Sequence, residues 1–411
     1  MLRTQMLNLV ERKLRYRVLP VSINFWGERE LHLGNPFKVK LSVRSPQVLG
    51  SLANPTLGKL AQNYVEQQID LEGDIRDIIR LGEVLCDAGS CIDRKNRMNL
   101  SWLLHPRQSN SKNISYHYDV SDDFYALWLD KRLVYSCGYF KHADDSLDLA
   151  QEQKLDHICR KLDLRPGERF LDIGCGWGGL FFWAAENYGV QATGITLSEN
   201  QYEHVRAEII KRGLQGRCDV RLMDYRDMPE TEQYDKIASV GMFEHVGRKN
   251  LPHYFGKIFR LLTPGGLVLN HGITAANLGT DGLGSGISEF VEQYVFPGGE
   301  LVHVSNVIEA MSQQNLECVD TESLRPHYAK TLWHWVDRLE ARRDEAKQLI
   351  GEKKYRIWQI YMGGSAHAFE RGWMSLFQIL AGKPLADGSL PYPFTREHFY
   401  GPALKPLQGF H

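Results

Sequence analysis

The chain has 411 residues, and 49 Lys and Arg against 50 Asp and Glu leave a formal net charge of −1. A length of this order builds two or three domains, and 43% hydrophobic with 24% charged residues excludes a disordered chain. No run reaches the roughly 18 apolar residues of a membrane span, and near-neutral charge argues against a dedicated nucleic-acid binder.

The first element in chain order is an amphipathic stretch over residues 1–20. Leu2, Met6, Leu9, Val10 and Leu14 fall on one helical stripe, surrounded by Arg3, Arg12, Lys13, Arg15 and Arg17 against the single acid Glu11. A basic helix of this kind can lie on an anionic bilayer or pack on its own domain, and the sequence leaves both open. Strands are expected over 18–25 and 37–42, then helices over 57–70 and 71–87. The polar run 107–112 is the best linker, so residues 1–110 read as a smaller N-terminal α+β domain and 111–411 as the main body.

From Pro166 onward strand and helix alternate. Strands are expected over 169–173, 190–196, 220–223, 236–240 and 267–271, with helices from about 178 to 187 and over 199–212. This alternation predicts an α/β fold with a doubly wound parallel sheet. Beyond about Ala275 it stops, and a Gly-rich stretch over 279–286 leads into a largely helical, aromatic-rich tail. The seven cysteines, Cys86, Cys91, Cys137, Cys159, Cys175, Cys218 and Cys318, include no CxxC pair, so no metal cluster or disulfide framework is indicated. Reduced thiols in a cytoplasmic protein are expected, and no apolar segment near Met1 reads as a secretory signal. Other basic groups are expected on solvated faces.

The strongest chemical signal is the string Leu171-Asp-Ile-Gly-Cys-Gly-Trp-Gly-Gly179. Its glycines allow a sharp strand-to-helix turn and close approach of backbone to a ligand. Its spacing differs from the dinucleotide pattern, and Asp172 ahead of Gly174 would repel a pyrophosphate but suits a cationic ligand. The string resembles the first motif of class I S-adenosylmethionine (SAM) methyltransferases. The landmarks Gly194-Ile-Thr-Leu-Ser-Glu-Asn-Gln201, Asp224-Tyr225 and the turn Thr263-Pro-Gly-Gly266 follow in the order of that family. The resemblance implies that SAM lies over Asp172, Gly174, Gly176 and Gly178. It implies that Thr196, Leu197, Ser198, Asn200 and Gln201 hold ribose and adenine, with Asp224 and Tyr225 beside them. Thr196 stands where many such enzymes carry an acidic ribose binder.

Upstream, Tyr116-His-Tyr-Asp-Val-Ser-Asp-Asp-Phe-Tyr125 and Leu133-Val-Tyr-Ser-Cys-Gly-Tyr-Phe140 resemble the entrance motifs of the cyclopropane-fatty-acid and mycolic acid cyclopropane synthases. Ser239-Val-Gly-Met-Phe-Glu-His-Val-Gly247, Glu292-Gln-Tyr-Val-Phe-Pro-Gly-Gly299 and Ala366-His-Ala-Phe-Glu-Arg371 fit the same family. The resemblance runs from about Asn113 to Leu380 and is looser over the first 110 residues, where the longer phospholipid-acting members carry an extra domain.

The resemblance implies transfer of a SAM methyl to a cis double bond of a membrane phospholipid and closure of a cyclopropane ring, beneath a helical lipid-binding cap. Tyr135 and Ser136 would close over SAM from the entrance. An alkene is a poor nucleophile, and its attack on the sulfonium methyl leaves a carbocation. Such a site must be dry and lined by aromatic faces, with a weak base to take one proton. The family's base is bicarbonate, and its ligands would map onto Cys137, Glu244, His271, the backbone amide of Ile273, and Tyr328.

By their own pattern, Cys137 is more often a small buried hydrophobe and His271 more often a hydrogen-bonded structural histidine. Glu244 stands apart, because it follows the apolar run 237–243 at the sheet edge where doubly wound folds hold ligands. Ser365 replaces a cysteine found in many relatives, and a serine without an adjacent base cannot do thiolate chemistry. The expected setting is the inner membrane face, bound peripherally, with no nucleic-acid partner. The N-terminal domain would serve lipid, membrane or dimer contact, and a homodimer stays open. The alternatives are methylation without ring closure, N- or O-methylation of a small metabolite, and a non-catalytic lipid-binding module.

Overall fold

A computed structural model describes residues 2–15, 19–27, 29–86, 121–278, 284–295 and 300–401 of the chain. The linker at 107–112, residues 116–120 of the entrance motif, 279–283 of the Gly-rich stretch and 296–299 of the motif ending at Gly299 lie outside the described residues.

The N-terminal part is a four-stranded sheet of order β2-β1-β3-β4, with β1 Val21–Phe25, β2 Arg29–His32, β3 Val39–Val43 and β4 Ile69–Glu72. Four helices accompany it: α1 Leu2–Arg15, α2 Val48–Ala53, α3 Leu57–Val65 and α4 Ile75–Leu85. Leu7, Val10 and Leu14 of α1 are buried in the same core as Val21, Ile23 and Phe25. Glu11 is also buried and pairs with Arg29 at 2.6 Å. Val10 and Leu14 of the expected stripe therefore pack on the helix's own domain, whereas Leu9 is exposed.

The helix expected over 57–70 stops at Val65. Gln67 takes a left-handed φ of +58°, and the next residues form β4, paired antiparallel with β3 from Val43–Ile69 to Lys40–Glu72. The next helix begins at Ile75 rather than at 71, because the Asp74 carboxylate accepts from the Arg76 amide at 2.8 Å and caps it. Strands β2 and β4 are four residues each, too short for their alternation to register as a pattern.

The main body is a seven-stranded sheet of order β10-β11-β9-β8-β5-β6-β7. Its strands are β5 Arg169–Ile173, β6 Gln191–Thr196, β7 Cys218–Leu222, β8 Tyr234–Val240, β9 Leu262–Ala275, β10 Glu317–Ser323 and β11 Met374–Gly382. Strands β5 to β9 pair in parallel, whereas β11 runs antiparallel between β9 and β10. This is the class I SAM-methyltransferase arrangement, and each of the five expected strands is present. The helical tail hides two more strands that periodicity does not reveal. The β10 segment is rich in charge, and β11 follows directly on a long helix.

The helices that build the site are α5 Asp122–Ala126, α6 Leu147–Lys161, α7 Gly179–Tyr188, α8 Glu199–Lys211 and α9 Leu251–Leu261. The cap follows as α10 Ile287–Tyr294, α11 Val304–Ser312, α12 Arg325–Ala341 and α13 Arg343–Glu370, the last broken at Gly351. None of the described helices is long and apolar enough to cross a membrane. Several basic groups depart from the solvated-face expectation: Lys154, Arg160, Lys161, Lys236 and Lys257 are all buried. Lys161 is held by Glu322 at 2.5 Å and Asp320 at 3.3 Å.

Candidate active site

Strand order reverses at β5, with β6 on one side and β8 on the other, and the carboxyl ends of these strands open a crevice. A cavity of about 170 Å³ lies there, lined by Tyr135, Ser136, Asp172, Gly174, Gly176, Thr196, Leu197, Gln201, Asp224 and Tyr225 among others. Gly176 adopts φ +55°, and a Cβ built on it would meet no atom within 4 Å. The glycine keeps this space clear for a ligand. Gly178, Ser198 and Asn200 are not among the lining residues. Gly178 precedes α7, Ser198 caps α8 by accepting from the Gln201 amide, and Asn200 donates to Asp122 at 2.7 Å. Thr196 donates to the Gln201 amide oxygen at 2.8 Å, which fixes both side chains in the wall.

Asp172 is fully buried, and burial pushes its carboxyl up to about 7 while Lys154 pulls it back. A cationic ligand here favours the carboxylate. Lys154 itself is lowered to about 8 by burial, against the pull of Asp130, and donates to the Ser136 hydroxyl at 3.0 Å. Gln151 donates to the Ser136 carbonyl at 2.8 Å. These two residues pin the entrance segment from beneath. Sequence reasoning missed both, although a Lys and a Gln on the same stripe of α6 as Leu147, Ala150 and Ile158 were the signal.

A second cavity, of about 900 Å³, is walled mostly by apolar side chains and also by Cys137, Glu244, His271, Ile273 and Tyr328. All five expected catalytic residues thus face one space. The two cavities share Tyr135, Ser136, Gly241 and His245 as a common wall. Tyr135 is wedged among the rings of Tyr125, Trp128, Trp335 and Trp358, at centroid distances from 5.3 to 6.2 Å counting Trp335 and Trp358.

Glu244 sits in a single helical turn, Phe243–His245, beyond β8. One carboxylate oxygen, Oε1, accepts from the Ile273 amide at 2.7 Å. The amide that the resemblance assigns to bicarbonate is engaged by the carboxylate instead. Gly272 makes this approach feasible, since an added Cβ would stand 2.1 Å from Phe243 Cε1 and 2.9 Å from Glu244 Oε1. The other oxygen, Oε2, is buried without a hydrogen-bond partner, and burial pushes the carboxyl up to about 7. His271 Nε2 is likewise buried and unpartnered. Burial, with Lys154 and Lys161 nearby, holds the imidazole well below its ordinary value, so it is neutral. The Cys137 thiol lies 3.1 Å from the Gly138 carbonyl, and burial raises it far out of the thiolate range.

The His271 Nδ1 atom lies 3.2 Å from Gln378 Nε2 on β11. An amide N–H donating to Nδ1 leaves the imidazole proton on Nε2, pointing a donor at the cavity. Gln378 was invisible in the sequence because β11 was. Replacing it with Leu removes the tautomer lock, and Gln378→Glu reverses it by accepting from Nδ1. Turnover is expected to fall roughly 10-fold for Leu and further for Glu, with SAM affinity unchanged by calorimetry.

A model of the mycolic acid cyclopropane synthetase family matches residues 105–379, and a model described only as a domain of unknown function, DUF7884, matches residues 12–87. The chain is 45% identical to a probable fatty acid methyltransferase of Pseudomonas putida, over 93% of this chain and 96% of the relative. It is 36% identical to the cyclopropane-fatty-acyl-phospholipid synthase of Escherichia coli, over 66% of this chain and 68% of that protein. The solved mycolic acid cyclopropane synthase CmaA1 complexed with SAH and CTAB superposes with a TM-score of 0.63 at 35% identity, covering 68% of this chain and 99% of that one. Sequence relatives, family model and fold converge, and the chain belongs to the mycolic acid cyclopropane synthetase family as a SAM-dependent methyltransferase.

Proposed function

We propose that this enzyme methylates a cis double bond in an acyl chain of a membrane phospholipid and closes a cyclopropane ring, with bicarbonate as the base. The observation that carries the reading is the wall shared by the small polar cavity and the large apolar one. A cofactor in the small cavity and an acyl chain in the large one would meet at this boundary, beside Tyr135 and His245. A long apolar chamber is of no use to N- or O-methylation of a small metabolite, and it suits a hydrocarbon chain.

SAM supplies the electrophilic methyl, and its sulfonium charge passes to the substrate as the carbon–carbon bond forms. Tyr135, Tyr328, Phe369 and Trp373 line the acyl side and offer aromatic faces to that charge. Cys137 and Ser365 lie on the same lining as groups that could trap a cation, and the thiol is held neutral. Bound bicarbonate would accept one proton from the new methyl group, so that the net addition is one CH₂. The residues fit this anion: His271 Nε2 offers a donor, and Glu244 Oε2 an acceptor for a bicarbonate hydroxyl. Tyr328 and Cys137 face the same space.

A two-part organisation, 1–110 and 111–411, goes with this reading, as does docking of the enzyme on the membrane surface from the cytoplasmic side. The Pseudomonas putida relative is named only as a probable fatty acid methyltransferase, which is compatible with a second reading in which the methyl stays as a branch. Incubation with labelled SAM and vesicles of unsaturated phospholipid, followed by analysis of the fatty-acid methyl esters, separates the two. A ring product upholds the proposal, a branched product the second reading, and absence of label in the acyl chains overturns both. Ser365 lines the acyl chamber from α13, and Ser365→Ala is expected to keep turnover within about threefold of the parent, because no step uses a nucleophile from the protein. A loss of several orders of magnitude with the fold intact would reverse that assignment.

A further inference from the structure

The acyl chamber is not built by the methyltransferase body alone. Leu41 of β3, Leu57, Leu60 and Ala61 of α3, Ile69 and Leu71 of β4, and Ile78, Ile79, Leu81 and Leu85 of α4 belong to its wall. These lie within the span matched by the domain of unknown function. Phe290 of α10 and Ile360 and Gly364 of α13 line the same chamber.

The junction between the two parts combines polar bonds, several of them buried, with apolar surface that borders the cavity. Tyr64 donates to Gln359 at 2.6 Å, Arg356 bonds Asp70 at 2.7 Å, and Arg76 grips Asp337 at 2.7 and 2.9 Å. Glu83 receives His367 and Arg371, each at 2.8 Å. These bonds hold the two parts together, while the leucines and isoleucines between them border about 900 Å³ of space. Ile78, Leu81 and Leu85 share a core with Met362, Ala366 and Phe369, and the part of this apolar surface that borders the cavity favours an apolar guest.

The chamber also has a direction. Of its lining residues Gly241, Arg248, Lys249, Asn250 and Glu292 are exposed, all but the glycine polar, whereas none of the N-terminal lining residues is exposed. A lipid therefore keeps its head by the polar lip and sends its tail toward the N-terminal sheet. Glu244 and His271 line the same chamber.

Building on the functional reading above, we propose that the N-terminal domain is the acyl-chain gauge of the enzyme. The methyl end of the chain, beyond the reacting double bond, lies against Leu57, Ile78, Ile79, Leu81 and Leu85. The domain thereby sets how much hydrocarbon fits past the double bond.

The test uses the full chain and phosphatidylethanolamine vesicles. The acyl chains carry a cis double bond at one fixed distance from the carboxyl group and methyl ends that differ in two-carbon steps. Ile79→Phe is expected to lower kcat/KM for the longest chain at least about 10-fold relative to the shortest, and Ile79→Ala to shift preference toward longer chains. SAM affinity is expected to stay at the parental value in both. Gly364→Val narrows the chamber from α13, where an added Cβ meets no atom within 4 Å. It is expected to shift the profile as Ile79→Phe does, and it keeps the test open if Ile79→Phe does not fold. A parent that is active while the folded variants keep its chain-length profile would overturn the gauge alone. A parent inert on every vesicle would overturn the functional reading, and the gauge with it.

Discussion

Glu244→Gln is expected to lower turnover by about 100-fold or more while SAM affinity stays close to that of the parent. The amide of Gln can still accept from the Ile273 backbone through its oxygen, so the turn holding residue 244 is kept. What changes is the second position, where an acceptor gives way to an N–H donor. The proposed bicarbonate hydroxyl then meets a donor, and the base loses its orientation. Depleting dissolved carbonate is expected to slow the parent and its return to restore the rate. A parent indifferent to carbonate would end the bicarbonate assignment.

The pH profile offers a second readout of the same residue. Burial sets the Glu244 carboxyl to about 7 in the folded chain, against an ordinary 4.5. Protonation of Oε2 turns the accepting oxygen into a donor, so kcat/KM for the lipid at saturating SAM is expected to fall about tenfold per unit below pH 7, a limb that Glu244→Gln should lose. Stability moves the other way. Between 4.5 and 7 the folded chain keeps a proton that the unfolded chain releases, so this group's contribution falls as pH rises through that window. Glu244→Gln is therefore expected to melt no lower than the parent at pH 8, which separates lost chemistry from lost fold.

Gly176→Val is expected to weaken SAM binding by about 100-fold or more in calorimetry. Two effects act together. A β-branched residue is strained at φ +55°, at a cost on the order of 1–3 kcal/mol. Its side chain also projects into the cavity where no protein atom stands within 4 Å of the added Cβ. Gly176→Ala carries less bulk and less strain and is expected to fall between Val and the parent. Parental affinity in the Val variant would place the cofactor elsewhere.

The glycine string, Asp172 and Glu244 were legible because they combine local pattern with position at strand ends. Strands β5 to β9 were legible because buried parallel strands read as apolar runs between turns. The reading ran out where a strand is short, as in β4, or lies beside long helices, as in β11. It also ran out where a polar residue is buried by tertiary packing. Nothing near Gln378 in the chain points to His271, which is 107 positions away. Lys154 looked like one more surface cation, yet it is fully buried beneath the entrance segment. The engagement of the Ile273 amide by Glu244 depends on the closeness of a helical turn to β9, and the sequence hints at that only through Gly272.

The place of β11 in the sheet has a consequence for how the enzyme is made. This strand is inserted between β9 and β10, although both precede it in the chain. While the polypeptide is still being synthesised, β10 has no neighbour to pair with, and β9 presents an open edge. Only when residues 374–382 have left the ribosome can that half of the sheet close, and His271 receives its orienting amide in the same event. Sheet closure and assembly of the proton-handling site are thus one late step of folding, joining contacts far apart in the chain. A nascent chain halted before Met374 would expose two unpaired strands, which makes it a substrate for chaperones rather than a partly active enzyme.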